Sequence, residues 1–298
     1  MSKVSVVKLK KMKEEGNPVV WVTAYSYPFA KAAEVAGMDM ILVGDSGGMV
    51  ELGYDNTHPV TMDEMIQMAR AVRRGAPNSF VIGDMPQGSY EVSDWEAVRN
   101  ALRFVKEAGC DAVKLEGGSR VCDRVRAICN AGILVMGHLG LTPQSTESFG
   151  GYRVQGKTRE SLDQILKDAR SLGYAGVFSI LLEAMPEYSA EVVAKISKVP
   201  IYGIGAGSKV DGQLLIMHDL VGLYTSFRPK FAKCFVSDVG KQYSFDGVNG
   251  VGYDGVFGLV VEALKKYRID VISGEFPKSE HIYPISEEEL LELRQNFA

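Results

Sequence analysis

Short apolar runs rich in β-branched residues alternate with longer stretches of helical period along most of the 298-residue chain. The runs VVWVTAY (19–25), MDMILVGD (38–45), SFVIGD (79–84), DAVKLEG (111–117), ILVMGHLG (133–140), GVFSILLE (176–183) and PIYGIGAG (200–207) predict seven strands, and a short VGL near residue 221 predicts an eighth. Helical periodicity fills the intervals at 28–36, 61–73, 93–108, 119–130, 158–172, 187–197 and 211–217. Eight strands alternating with helices over this length predict an α/β fold, a (β/α)8 barrel of the TIM type, with a doubly wound sheet as the alternative. The pattern changes near residue 240. GKQYSFDGVNGVGYDG reads as loop, GVFGLVVEALKKY as a final helix and SGEFPKSEHIYPI as an irregular tail. The expected organisation is a single barrel domain over 1–298, with 240–298 as a C-terminal extension packed on it.

Composition narrows the functional classes. With 46% hydrophobic and 23% charged residues the chain can bury a large core. A net charge of -4 and no basic stripe argue against nucleic acid, and a small anionic substrate then needs local positive groups. No apolar run approaches the roughly 20 residues that span a bilayer, and MSKVSVVKLKKMKEEG lacks an apolar signal core, so no membrane partner and a cytoplasmic location are expected. The cysteines, Cys110, Cys122, Cys129 and Cys234, form no CxxC pair, and the seven-residue spacing of Cys122 and Cys129 reads as helix packing. Four scattered histidines make zinc improbable, so any metal should be a hard cation held by carboxylates. GVGYDG has the form GxGxxG but lacks a preceding strand and a βαβ unit, which argues against a dinucleotide site. GIGAG (203–207) reads equally well as a phosphate-binding loop or a tight turn at the barrel mouth.

Chemistry in such a barrel gathers where strands end, and five consecutive runs end at or near a polar residue: Asp45, Asp84, Glu116, His138 and Glu183. Side chains alternate faces, so Ile41, Val43 and Asp45 share one face, as do Phe80, Ile82 and Asp84, and Lys114 shares a face with Glu116. If the apolar members line the barrel, the acids point inward at its mouth. Strands about 4.8 Å apart would let Asp45 and Asp84 grip one cation at the roughly 2.1 Å that Mg²⁺ demands. Singly, each acid also reads as a cap or turn residue, Glu116 as the ion-pair partner of Lys114, and His138 as a satisfied pocket histidine. Three acids and a lysine on three adjacent strands favour a site. GDSGG (44–48) is also the pentapeptide around the nucleophilic serine of chymotrypsin-like proteases. No histidine precedes Ser46 and the pattern is not all-β, so that reading fails.

The motifs VTAYSYPFA, ILVGDS, HPVTMDEM, AVRRGAP, VKLEGG, GHLGLTPQS, FGGYRVQGK, YGIGAG, DGQLLIMHDLVGL, PKFAK and FPKSEHIY cover nearly the whole chain. Through them it closely resembles the ketopantoate hydroxymethyltransferases, of the phosphoenolpyruvate mutase and isocitrate lyase superfamily of barrels. The resemblance implies a magnesium site at Asp45, Asp84 and Glu116, 2-oxo acid contacts at Asp45, Ser46, Asp84 and Lys114, and a catalytic base at Glu183. His138 would steer a proton or pack the folate side. It further implies transfer of a one-carbon unit from 5,10-methylenetetrahydrofolate to 3-methyl-2-oxobutanoate, giving 2-dehydropantoate, and a homo-oligomer, a decamer of two stacked pentamers. Where the family commonly has GDSLGM, GHDSTLPVT and DLPFMSY, this chain has GDSGGM, GYDNTHPVT and DMPQGSY. Gly47, Tyr54, His58, Gln87 and Gly88 are therefore expected to enlarge or rehydrate the pocket. Rival readings are a superfamily lyase acting on another 2-oxo acid, a Schiff-base enzyme using Lys114, and a non-catalytic oligomeric binding scaffold.

Overall fold

The computed structural model describes residues 3–243, 253 and 255–297. The chain runs through helix α1 (Val6–Glu14), strand β1 (Val19–Thr23), α2 (Tyr27–Val35), β2 (Met40–Val43), a short α3 (Gly47–Val50), α4 (Met62–Gly75), β3 (Phe80–Asp84), α5 (Asp94–Ala108), β4 (Ala112–Glu116), α6 (Cys122–Asn130), β5 (Leu134–Gly140), α7 (Arg159–Ala175), β6 (Ser179–Glu183), α8 (Glu187–Ile196), β7 (Ile201–Ile204), β8 (Gly212–Leu215), α9 (Met217–Val221), α10 (Val236–Val239), α11 (Gly255–Ile272) and α12 (Glu287–Phe297). The strands pair in chain order, all parallel, and close when Val19 on β1 pairs with Gly212 on β8. This is the expected (β/α)8 barrel.

Local chemistry explains the elements. Strand residues are buried on both faces because the barrel interior covers one and the helices cover the other, so the runs read as continuously apolar. Helices begin where side chains satisfy orphan backbone donors. Thr61 and Glu64 form a capping box on α4, Ser93 caps α5 through Glu96, and Thr158 caps α7 through Ser161. Gly83 on β3 leaves room for Phe104 of α5, since a Cβ there would lie 2.2 Å from the Phe104 ring. The four cysteines are free, as expected.

The last strand is a correction. The expected helix at 211–217 contains β8 instead, and the expected strand near 221 falls on the end of α9 and on Gly222, which has a φ of +75°. Only Ile216 separates β8 from α9, so strand and helix merge into one stretch that mimics helical period. No helix joins β7 to β8. Asp211 holds that direct connection, accepting from the Ile201 amide at 2.7 Å and from Lys13 Nζ at 2.7 Å.

The C-terminal region contributes to the barrel wall. Tyr267 on α11 is fully buried and donates to the carbonyls of Gln213 (2.7 Å) and Trp21 (3.3 Å), tying the helix to the closing strands. Arg268 adds an ion pair to Asp39 at 2.9 Å. A further correction concerns the tail, where α12 follows the helix expected to be final. The GVGYDG motif lies largely outside the described residues. Among the described residues, no helix is long and apolar enough to cross a membrane.

Candidate active site

The parallel register brings the predicted residues together. Asp84 pairs in register with Lys114, Glu116 with His138, and Gly140 with Glu183. Asp45 lies two residues beyond β2, and its amide donates to Asp84 Oδ2 at 3.1 Å. Lys114 Nζ is 2.7 Å from Asp84 Oδ1 and 3.4 Å from Glu116 Oε1. Glu116 Oε1 is 3.1 Å from His138 Nδ1, and His138 Nε2 is 3.2 Å from Glu183 Oε2. A polar chain thus runs round the mouth from β2 to β6. Glu183 alone of these side chains has appreciable exposure, 17%.

Burial sets the electrostatics. Asp45 is held well above the usual carboxylate range by desolvation and by the charges of Asp84 and Glu116. Desolvation also raises Asp84, although Lys114 opposes it. Burial pushes Glu116 up as well, but Lys114 and His138 outweigh it and the net shift is downward. Burial and the Lys114 charge both disfavour a charged His138, yet Glu116 and Glu183 raise it to about 9. Lys114 is raised because three acids outweigh its own desolvation.

The donor set fits a hard divalent cation. Three buried carboxylates face one lysine and one histidine, Asp45 forms no ion pair among the described residues, and Asp84 Oδ1 is buried without a well-aligned hydrogen bond. Oxygen donors of this kind suit magnesium. Among the described residues, no three acidic, histidine or cysteine side chains are already drawn into a metal-holding group, because Lys114 stands between Asp84 and Glu116.

Ser46 Oγ lies 2.9 Å from the Tyr25 hydroxyl, and no histidine is among its hydrogen-bond partners, so no base activates it as a nucleophile. The GIGAG loop resolves as a turn. Ser208, just after it, donates its amide (2.7 Å) and hydroxyl (2.8 Å) to Glu187 Oε1, so these donors are already taken by a carboxylate.

Gly47 corrects another expectation. Its missing side chain opens no space, since a Cβ would meet Tyr25 at 2.6 Å and Met68 Sδ at 2.9 Å. Tyr54 turns to Glu64 with a 2.6 Å hydrogen bond, His58 is bound through its amide to Asn56, and Gln87 donates to the Gln144 carbonyl at 3.0 Å. Gly88 occupies a turn with φ of +85°.

Sequence reasoning missed Gln144, which lies within the quoted GHLGLTPQS. Its Nε2 donates to Asp45 Oδ2 at 2.9 Å and to the Met85 carbonyl at 3.0 Å, and its amide donates to Glu116 Oε2 at 3.0 Å. Tyr90 in turn donates to Gln144 Oε1 at 2.6 Å. A polar residue in a short 3₁₀ segment (Pro143–Phe149) between β5 and α7 gives no periodic signal, and only the length of the motif marked it.

A family profile described as ketopantoate hydroxymethyltransferase matches residues 3–248. The 3-methyl-2-oxobutanoate hydroxymethyltransferase of Alkaliphilus metalliredigens is 48% identical over 297 residues, covering 99% of each chain. That of Moorella thermoacetica is 50% identical over 282 residues, covering 95% of this chain and 98% of its own. Among solved structures, a phosphonopyruvate hydrolase complex with oxalate and Mg²⁺ superposes with a TM-score of 0.58 at 15% identity, covering 93% of this chain and all of that one. A 2,3-dimethylmalate lyase, a phosphoenolpyruvate mutase and isocitrate lyase superfamily member, gives 0.57 at 14% identity, covering 92% and 99%. The structural likenesses speak for the shared barrel, and the sequence matches, which run through every strand-end residue of the mouth, place this chain in the ketopantoate hydroxymethyltransferase family.

Proposed function

We propose that the barrel mouth transfers a one-carbon unit from 5,10-methylenetetrahydrofolate to 3-methyl-2-oxobutanoate, giving 2-dehydropantoate and tetrahydrofolate for pantothenate biosynthesis. The name shared by the relatives supports the acceptor and the hydroxymethyl group. The observation that carries the chemistry is the excess of buried carboxylate gathered around Lys114 and facing a more exposed Glu183. Asp45, Asp84 and Glu116 would hold Mg²⁺, which when bound supplies Lewis-acid stabilisation of negative charge on the 2-oxo oxygen.

The protein's own groups do the rest. Lys114 and Ser46 bind the oxo acid, one by charge and the other through its hydroxyl, beside the Asp45 and Asp84 carboxylates. Glu183 takes the C3 proton. Its Oε2 lies 3.2 Å from His138 Nε2, an ion pair when the imidazole is protonated, and Oε1 is left to act as base. The new carbon bond makes C3 quaternary, so the product hydroxyl comes from one water that enters at the methylene carbon, and tetrahydrofolate leaves. Lys114 is a poor Schiff-base nucleophile, because its neighbours keep it protonated.

The test separates the proton step from the folate step. In D₂O with magnesium and 3-methyl-2-oxobutanoate but no folate, the enzyme should exchange the C3 proton, as followed by proton NMR. Glu183→Gln should slow exchange by about 10²- to 10⁴-fold while oxo acid binding persists. Wild-type exchange in that variant would remove Glu183 as base. Cleavage of another 2-oxo acid at a rate independent of folate would instead favour a lyase.

A single domain, a cytoplasmic location and a homodecamer belong to the same reading. The exposed Val92, Trp95 and Leu102 on and beside α5 support assembly, which sedimentation velocity can measure.

A further inference from the structure

Two adjacent residues on the far side of the mouth have polar atoms that the acid cluster does not use. His218 and Asp219 lie on α9, immediately after β8, and are 5% and 3% exposed. His218 Nε2 is 3.3 Å from Glu51 Oε1, while its Nδ1 is buried without a hydrogen-bond partner. The Asp219 carboxylate, among the described residues, makes neither a hydrogen bond nor an ion pair, and the nearby Arg228 bonds to the Cys234 thiol. Buried polar groups are ordinarily satisfied, so a buried imidazole nitrogen without a partner, next to a carboxylate that makes no hydrogen bond, calls for a partner outside the chain.

Their surroundings say what kind. The His218 ring packs 5.5 Å from Tyr25, tilted, and 5.3 Å from Phe29, edge-on, so aromatic rings adjoin the pair. Tyr25 feels the charge of Asp219 and bonds to Ser46, which places the pair beside the oxo acid position. A carboxylate that makes no hydrogen bond, beside an imidazole nitrogen and aromatic rings, suits a planar heterocycle with adjacent N–H donors that bind it in bidentate fashion.

We propose that Asp219, flanked by His218, is the subsite for the 2-amino-4-oxo pyrimidine edge of the reduced pterin in the one-carbon donor. This rests on the folate-dependent reading above and assigns that donor to the β8–β1 sector of the mouth. Burial that holds Asp219 up at about 6 is consistent with a carboxylate awaiting N–H donors, although Arg228 and His218 oppose the shift.

The test uses tetrahydrofolate itself, titrated calorimetrically into wild type and Asp219→Asn. The variant should bind about 10- to 100-fold more weakly, and KM for 5,10-methylenetetrahydrofolate should rise by a similar factor while KM for the oxo acid changes less than about twofold. Asp219→Glu, which keeps the carboxylate, should recover part of the loss. A tetrahydrofolate analogue lacking the 2-amino group tests the same contact without mutation, and wild type should bind it about 10-fold or more weakly. Equal affinity for tetrahydrofolate in wild type and Asp219→Asn, equal affinity of wild type for the analogue, or parallel rises in both KM values would overturn the assignment. Wild type that binds no tetrahydrofolate and makes no product from the folate donor would overturn the parent reading as well, so the two failures are distinguishable.

Discussion

At the scale of residues, the mouth holds more buried carboxylate than cation. Asp84 has one oxygen against Lys114 and the other on the Asp45 amide, so Asp84→Asn removes an anionic donor while keeping the shape. That variant should lose nearly all activity and bind a divalent cation at least about 10-fold more weakly, as read by Mn²⁺ titration. Undiminished cation affinity would take Asp84 out of the metal set. Gln144 acts one step back. It anchors one oxygen each of Asp45 and Glu116, so Gln144→Ala should weaken Mn²⁺ binding about 10- to 100-fold with an unchanged fold by circular dichroism. A loss of activity with wild-type cation affinity would show that Gln144 does not position those acids.

At the scale of elements, strand register decides which groups meet, and strand–helix packing holds the register. β3 carries Asp84 at its end and fits against α5 because Gly83 makes room for Phe104. Gly83→Ala puts a methyl into that ring, and overpacking of this kind costs about 1–3 kcal/mol. Chemical denaturation should show a lower midpoint, with the largest functional effect on the Asp84 and Lys114 pair, two strands' width of the mouth. An unchanged midpoint would mean that α5 moves away without cost. The β7–β8 connection illustrates the same dependence, since Asp211 replaces a helix by holding the start of β7 and Lys13 of α1.

At the scale of the whole molecule, an unpartnered buried acid should cost stability in the free enzyme. Burial pushes Asp219 up to about 6 from an ordinary value of 3.8, against the opposing charges of Arg228 and His218. A raised folded value means that the folded state binds the proton more tightly, so this contribution is fully present below about pH 4 and lost as pH rises to about 6. Near pH 7, Asp219→Asn should therefore be more stable than wild type by about 1–3 kcal/mol, with the difference vanishing toward pH 4. Thermal unfolding at both pH values measures it. A variant destabilised at neutral pH would indicate that Asp219 serves the fold and not a ligand.

Much of this was legible in the sequence because a parallel barrel buries both faces of every strand. Hydrophobicity alone therefore marks seven strands, and polar residues at or near the ends of five of them mark the mouth: Asp45, Asp84, Glu116, His138 and Glu183, with Lys114 conspicuous inside an apolar run. The sequence itself determined the fold class and the strand-end residues, and its long motifs identified the family. Tertiary structure decided what has no periodicity. The four-residue β8 merges with α9, and only pairing with β1 reveals it as a strand. Gly47 reads as added space until Tyr25 and Met68 are seen to fill it. Gln144, His218 and Asp219 lie outside the strands, and their roles depend on which buried polar atoms find partners, a property of distances between distant segments that no local pattern encodes.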